Sequence, residues 1–174
     1  MGWMTNEDGL EKCRANYVPL SPLSHLQRAA HVFPDVMAVS YGAHRTTYAE
    51  YHARCSRLAS ALADMGVVPG DVVSTILPTI PAQAEARFGV PACGAVLNTI
   101  NTRLDVDTVA YILDHGEAKV ALVDTQFIDL AEAACAARAH AATRSRTSDC
   151  FQWPASILNG LPLRSSRLHM SCTP

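Results

Sequence analysis

The chain offers no metal or disulfide framework. Its six cysteines fall at 13, 55, 93, 135, 150 and 172, with no C-x-x-C pair and no histidine at ligand spacing. Such cysteines read as small buried hydrophobes or incidental surface thiols. Aromatic residues are few, at 6%, and charged residues make up only 17%. With a net charge of −2, a strongly basic nucleic-acid binder and a highly charged disordered chain are both excluded. No uncharged stretch reaches the roughly 18 apolar residues of a membrane span. The longest candidates are interrupted by Pro78, Pro81 and Pro91. Residues 1–8, MGWMTNED, are polar and acidic, unlike a signal peptide, and Glu7 and Asp8 do not fit the Ser/Thr spacing that myristoylation of Gly2 requires. The expectation is a soluble, cytoplasmic chain without a nucleic-acid partner. What is present is 49% hydrophobic residues over 174 positions, enough for one buried core.

Charge divides the chain near residue 134. Residues 1–134 carry nine Lys/Arg against fifteen Asp/Glu, a net of −6; residues 135–174 carry five Arg against Asp149 alone, a net of +4, and −6 + 4 gives −2. The second stretch has no lysine, nine Ser/Thr and neither helical nor strand periodicity. It reads as an irregular tail, and a segment translated out of frame would explain its composition. The expected organisation is therefore an N-terminal arm over 1–20, a folded unit over 21–134 and an unstructured or out-of-frame tail over 135–174.

Within the folded unit, Ser21-Pro22 opens a helix as cap and first-turn proline, with Leu23, Leu26, Ala30 and Phe33 on its buried face and Pro34 as its stop. Residues 37–41 and 45–47 read as a hairpin around Gly42-Ala43-His44. Thr47-Tyr48-Ala49-Glu50 is a capping box, followed by Tyr48, Tyr51, Cys55, Leu58, Leu62 and Met65 at helical spacing, with Gly66 as terminator. Residues 72–77, 95–98 and 119–123 are short apolar runs that suit parallel strands covered on both faces. Between them lie a helix over 82–93, which Gly89 and Pro91 are expected to bend or end early, and a helix capped by Asp105 or Asp107 and closed by Gly116 as C′. The fold class is α/β, a βαβαβ unit with a parallel sheet.

No catalytic signal accompanies the fold. There is no G-x-G-x-x-G after a strand and no G-x-x-x-x-G-K-[ST], so nothing cradles phosphate. The glycines of Gly89-Val90-Pro91-Ala92-Cys93-Gly94 read as tight helix–strand packing. His25, His31, His44 and His52 lack ligand spacing, and His115 suits a helix C-terminus. Asp105 and Asp107 are cap candidates before they are a D-x-D metal site. Ser24-His25 and Ser40-Tyr41 form no nucleophile elbow, and Arg45, Arg54, Arg57 and Arg103 read as solvated or ion-paired. No position is assigned as catalytic, cofactor-binding or metal-binding.

Several runs in order resemble the opening of AMP-forming acyl-CoA synthetases, the adenylate-forming superfamily. They are Pro34-Asp35, Thr47-Tyr48-Ala49-Glu50, Arg57-Leu58-Ala59-Ser60-Ala61-Leu62, Gly66-Val67-Val68-Pro69-Gly70-Asp71-Val72-Val73 and Leu77-Pro78-Thr79-Ile80-Pro81-Ala82. Residues 89–104, GVPACGAVLNTINTRL, look like the branch acting on medium- and longer-chain or sulfur-containing fatty acids, and Asp114-His115-Gly116-Glu117-Ala118-Lys119-Val120 continues the likeness. The resemblance spans residues 10–130, about the first quarter of such an enzyme, and implies an incomplete part of its N-terminal subdomain. Full-length members activate a fatty acid with ATP and magnesium to an acyl-adenylate and transfer the acyl group to coenzyme A. Their phosphate loop, a Ser/Thr/Gly-rich run ending in Pro-Lys-Gly, has no counterpart here, so no family site residue carries over. The resemblance implies a chain inactive alone, needing no cofactor itself. The alternative is a non-catalytic module that pairs with a separate chain. Apolar area left uncovered predicts marginal stability, and an exposed sheet edge opens a route to self-association.

Overall fold

A computed structural model describes Glu11, Cys13, Arg14, Tyr17 and residues 21–141. Most of the expected arm, and the tail beyond 141 with Cys150 and Cys172, lie outside the described residues.

Helix α1 (Pro22–Val32) starts as its sequence dictates, with Ser21 Oγ accepting from Leu23 N at 3.3 Å and proline in the first turn. Of the four residues expected on its buried face only Leu26 is buried, and Phe33 is 56% exposed. Phe33 is the C-cap, at φ −129° and ψ 51°, so it leaves the helix surface that spacing alone assigned to it. Strands β1 (Met37–Tyr41) and β2 (His44–Thr47) form an antiparallel hairpin, the return beginning one residue earlier than expected, at His44.

Helix α2 (Tyr48–Asp64) carries the complete capping box. Glu50 N donates to Thr47 Oγ1 at 3.3 Å, and Thr47 N to Glu50 Oε2 at 2.9 Å. Its buried stripe is Tyr51, Cys55, Leu58, Ala61 and Leu62. Helix α3 (Pro81–Ala92) runs through both Gly89 and Pro91 rather than ending early. Pro91 stands next to the last residue, where its missing N–H removes one bond only. Gly89 is where α3 meets α2, and a Cβ built there lies 2.7 Å from Leu58 Cδ2. That glycine serves helix–helix packing, not the helix–strand packing expected of it.

The sheet is parallel, with strands β3 (Val72–Ile76), β4 (Val96–Thr99) and β5 (Ala118–Val123) in the order β4-β3-β5. Val73 pairs with Leu97 on one side and Val120 on the other. The chain steps from β3 out to β4, then back past β3 to β5. Crossovers of one hand then place α3 and α4 (Val106–His115) on opposite faces. Side chains agree: Asn98 Nδ2 donates to Ser74 Oγ at 3.1 Å, and a Cβ on Gly116, at the end of α4, lies 3.3 Å from that amide nitrogen. Ser74 and Ile76 therefore face α4, while Val73 and Thr75 face α2 and α3. From Val73 to Ile76 the central strand is buried on both faces.

Asp105 is the cap of α4, its carboxylate accepting from Thr108 N at 3.1 Å. The other end departs from expectation. The helix runs to His115, Gly116 is the C-cap at φ −79°, and Glu117 takes the left-handed conformation at φ 49°. After β5 a single 3-10 turn (Thr125–Phe127) leads into α5 (Ile128–Ala141), which packs on α4. The boundary expected at 134 falls inside this helix. Ala134 and Cys135 are both buried in the core.

A polar clasp closes the amino-terminal end of the sheet. Lys119 Nζ donates to Asp71 Oδ2 at 2.7 Å and to Gly66 O at 2.8 Å, and Val68 N donates to the same carboxylate oxygen at 2.7 Å. Lys119 first, and then the Val68 amide, hold the Asp71 carboxyl below its ordinary 3.8. A carboxylate depressed on folding stabilises above its unfolded pKa, and that stabilisation is lost as pH falls through the folded value. Lys119→Met is therefore expected to lower the urea midpoint at neutral pH, with the gap to the parent closing below pH ~3.8. A gap that stays constant down to strong acid would exclude the clasp as its source.

Candidate functional site

In a parallel sheet the ligand crevice forms beyond the carboxyl ends of strands, where successive connections leave to opposite faces. Here β3 leads into α3 on one face and β5 leads through the 3-10 turn into α5 on the other. By that rule the place to look is the rim between Ile76–Leu77 and Val123–Asp124.

Backbone bonds close much of this rim. Asp124 N donates to Ile76 O at 3.1 Å, and Ile100 N to Thr75 O at 2.8 Å. Asp124, 8% exposed, caps the 3-10 turn: its Oδ1 accepts from Gln126 N at 3.1 Å and from Gln126 Nε2 at 3.2 Å. The carboxylate is engaged structurally. The first turn of α3 is equally poor as an anion site, because Pro81 removes one backbone N–H and Gln83 N is spent on Ile80 O at 3.0 Å. Two buried polar atoms on the α3 side, Thr75 Oγ1 and Gln83 Oε1, have no hydrogen-bond partner among the described residues. An orphaned buried hydroxyl costs about 1–3 kcal/mol. Thr75→Val is accordingly expected to raise the unfolding free energy by about 1 kcal/mol, read as a shifted urea midpoint at constant slope.

The titratable groups buried elsewhere are inert. Arg54 and Glu85 join α2 to α3 by two bonds, at 2.6 and 3.1 Å, with side chains 15% and 13% exposed. Tyr51 donates its hydroxyl to Ala84 O at 2.7 Å, and burial, with Cys55 beside it, pushes the phenol above its ordinary range. Burial, reinforced by Glu85, pushes the Cys55 thiol up to about 12. A thiol so raised stays protonated and is no nucleophile at neutral pH.

The residues weighed from sequence are scattered. His44 Nε2 lies 2.8 Å from Thr46 Oγ1 within the hairpin, and Arg45 donates to Gly42 O and His44 O. His115 stacks on Tyr111, ring centroids 5.4 Å apart. His31 and His52 do come together, with Ser24, Gln27 and Arg28, around an open groove of about 530 Å³ where α1 meets α2. Sequence spacing gave no hint of it, because His31 and His52 sit on different helices. Among the described residues no three His, Cys, Asp or Glu side chains converge as metal ligands. No helix of the described residues is long and apolar enough to cross a membrane. Among the described residues the geometry holds a sheet together and presents no nucleophile–base pair.

Residues 26–160 match the AMP-binding enzyme family, a match that continues past the charge break at 134. The peroxisomal acetate/butyrate–CoA ligase AAE7 of Arabidopsis thaliana is 50% identical over 125 residues, which are 72% of this chain and 22% of that enzyme. The peroxisomal trans-cinnamate:CoA ligase of Petunia hybrida is 47% identical over 127 residues, 73% of this chain and 22% of that one. Among solved structures, a putative long-chain-fatty-acid CoA ligase from Rhodopseudomonas palustris superposes with a TM-score of 0.66 at 27% identity, over 78% of this chain and 33% of that one. The N-terminal domain of FACL13 from Mycobacterium tuberculosis gives 0.62 at 29% identity, over 64% and 29%. This chain spans about a fifth of the length of the curated relatives it matches.

Proposed function

The chain belongs to the AMP-binding enzyme family, and from that membership we propose that it is the first sheet layer of an AMP-forming acyl-CoA ligase, structurally necessary to such an enzyme and without adenylating activity of its own. The observation carrying this reading is the sheet's polar inventory. At the carboxyl ends of its strands Asp124 is engaged with Gln126, and among the described residues no loop of convergent backbone donors stands beside it. Catalysis of phosphoryl and adenylyl transfer is positioning plus charge stabilisation, and the groups that supply both are missing from these elements.

The family implies ATP, magnesium and coenzyme A for full-length members. The described residues do not fit a magnesium–nucleotide complex, because no carboxylate in the crevice is unengaged and Pro81 occupies the start of α3. The acid we propose for the parent reaction is a short-chain or aromatic carboxylate, as in the names of the two plant ligases, in place of the medium or longer chain expected from residues 89–104. The compartment proposed, on composition alone, is the cytoplasm. A fluorescent fusion concentrated in peroxisomes, the address in those two names, would overturn it.

The purified chain is expected to show no ATP–pyrophosphate exchange above the protein-free rate with acetate, butyrate, cinnamate or a long-chain acid. Acid-dependent exchange from this chain alone would refute the proposal.

A further inference from the structure

We infer that the groove between α1 and α2 binds a soluble phosphate monoester of a small hydroxylated molecule, with Arg28, His31 and His52 on the phosphate and Ser24 and Gln27 on the hydroxyls. It shares no residue with the rim at the strand ends and stands independently of the ligase reading.

Helical spacing assembles one wall. Ser24, Gln27, Arg28 and His31 step along a single face of α1, and seven residues of helix set the ends of that row about 10 Å apart. Leu26, on the buried side of the same helix, clusters with Tyr51 and Cys55 of α2 and fixes how the two helices meet. His52 directly follows Tyr51 and supplies the opposite wall. Ala30, the one apolar residue of the lining, keeps the space between them open.

The charge in this groove is unanswered. Residues 1–134 carry a net of −6, yet no Asp or Glu lines it. Arg28 has no ion pair with a described carboxylate, whereas Arg54 and Arg138 each have one. Neither the His31 nor the His52 ring has a hydrogen-bond partner among the described residues, whereas the His44 ring lies 2.8 Å from Thr46 Oγ1. An imidazole keeps at least one N–H donor in either charge state, and a guanidinium has five. Three such groups around one space, with no acceptor of their own, fit an oxyanion, and the arginine fork matches phosphate geometry. A metal ion fits less well: two histidines find no third ligand, and Arg28 brings its charge to the same place.

The remaining lining atoms indicate what the phosphate is attached to. The groove measures about 530 Å³, the scale of a small-molecule site rather than of a bare ion. Toward the start of α1, Ser24 Oγ has spent its proton on Ser21 O at 2.7 Å, so toward a ligand it can only accept. Gln27 offers both an amide oxygen and an amide N–H. Acceptors beside a donor-rich triad suit ligand hydroxyls next to the phosphate.

Histidine-ring NMR on the full chain at constant ionic strength tests this, with glycerol 3-phosphate as the probe. The His31 and His52 signals, identified by their loss in His31→Gln and His52→Gln, are expected to shift to saturation while those of His44 and His115 stay in place. Inorganic phosphate is expected to bind about threefold more weakly, because it leaves Ser24 and Gln27 unused. Arg28→Gln is expected to weaken glycerol 3-phosphate about tenfold, and Arg57→Gln, outside the groove, to leave it unchanged. No shift at concentrations that saturate a millimolar site would overturn the inference, as would shifts that Arg28→Gln leaves intact or that sodium sulfate reproduces in full. Response of the pair to zinc chloride alone would assign the groove to a metal ion, and response to phosphatidic acid vesicles alone would assign it to a lipid surface; either result also overturns it.

Discussion

Leu62→Ala is expected to lower unfolding free energy by about 3–5 kcal/mol, a large share of the net stability of a domain. Leu62 is fully buried and belongs to the large cluster that α2 shares with the sheet and with α3, α4 and α5. Truncation removes three carbons from a fully buried side chain, so little collapse can fill the gap. The expected magnitude is that of well-packed leucines, set against a net stability of typically 5–15 kcal/mol. Urea unfolding followed by circular dichroism checks it, with Ser60→Ala on the exposed face of the same helix as the control, expected within about 0.5 kcal/mol of the parent. Equal effects of the two substitutions would mean that α2 is not docked as described.

The second large effect is at Gly89, where the loss arises from adding atoms. A Cβ there stands 2.7 Å from Leu58 Cδ2, 2.9 Å from Leu58 Cγ and 3.0 Å from Leu58 Cβ. The last of these cannot move away by a rotamer change, so α2 and α3 must separate. Helix propensity favours a side chain over glycine by about 1 kcal/mol, which overpacking of a dense interface exceeds. Gly89→Val is expected to destabilise by about 3 kcal/mol. Leu58→Ala alone is expected to cost about 2–4 kcal/mol as a cavity. The double variant is expected to be more stable than the sum predicts by about 1–3 kcal/mol, because the added methyls enter the vacated space. Strict additivity in the cycle would place the two residues apart.

Leu58 also illustrates how much of the fold was legible in the sequence. Capping chemistry and apolar spacing are local, so Ser21, the Thr47–Glu50 box, the Tyr51–Leu62 stripe and three parallel strands could be read directly. Phe33 and Gly89 depend on what stands opposite, and sequence spacing has no access to that. Helix α5 failed to register across residue 134 for a different reason: seven of its fourteen residues are alanine, which form helix by backbone preference and leave no apolar stripe to detect. The candidate site divides in the same way. The lack of a phosphate loop is a property of residue order and was plain. The orphaned Thr75 hydroxyl, the engagement of Asp124 by Gln126 and the meeting of His31 with His52 are tertiary facts.

Strand order β4-β3-β5 has a consequence for biosynthesis. The first strand of the parallel sheet to leave the ribosome is the central one, and it must wait for both partners: Val73 meets Leu97 across 97 − 73 = 24 residues and Val120 across 120 − 73 = 47. Until β5 emerges, β3 has β4 alone to pair with, while the β1–β2 hairpin and α2 close through neighbours only a few residues away. High contact order of this kind slows folding and lengthens exposure to aggregation. The interval between translating β3 and releasing β5 is where chaperones would have their longest access to this polypeptide.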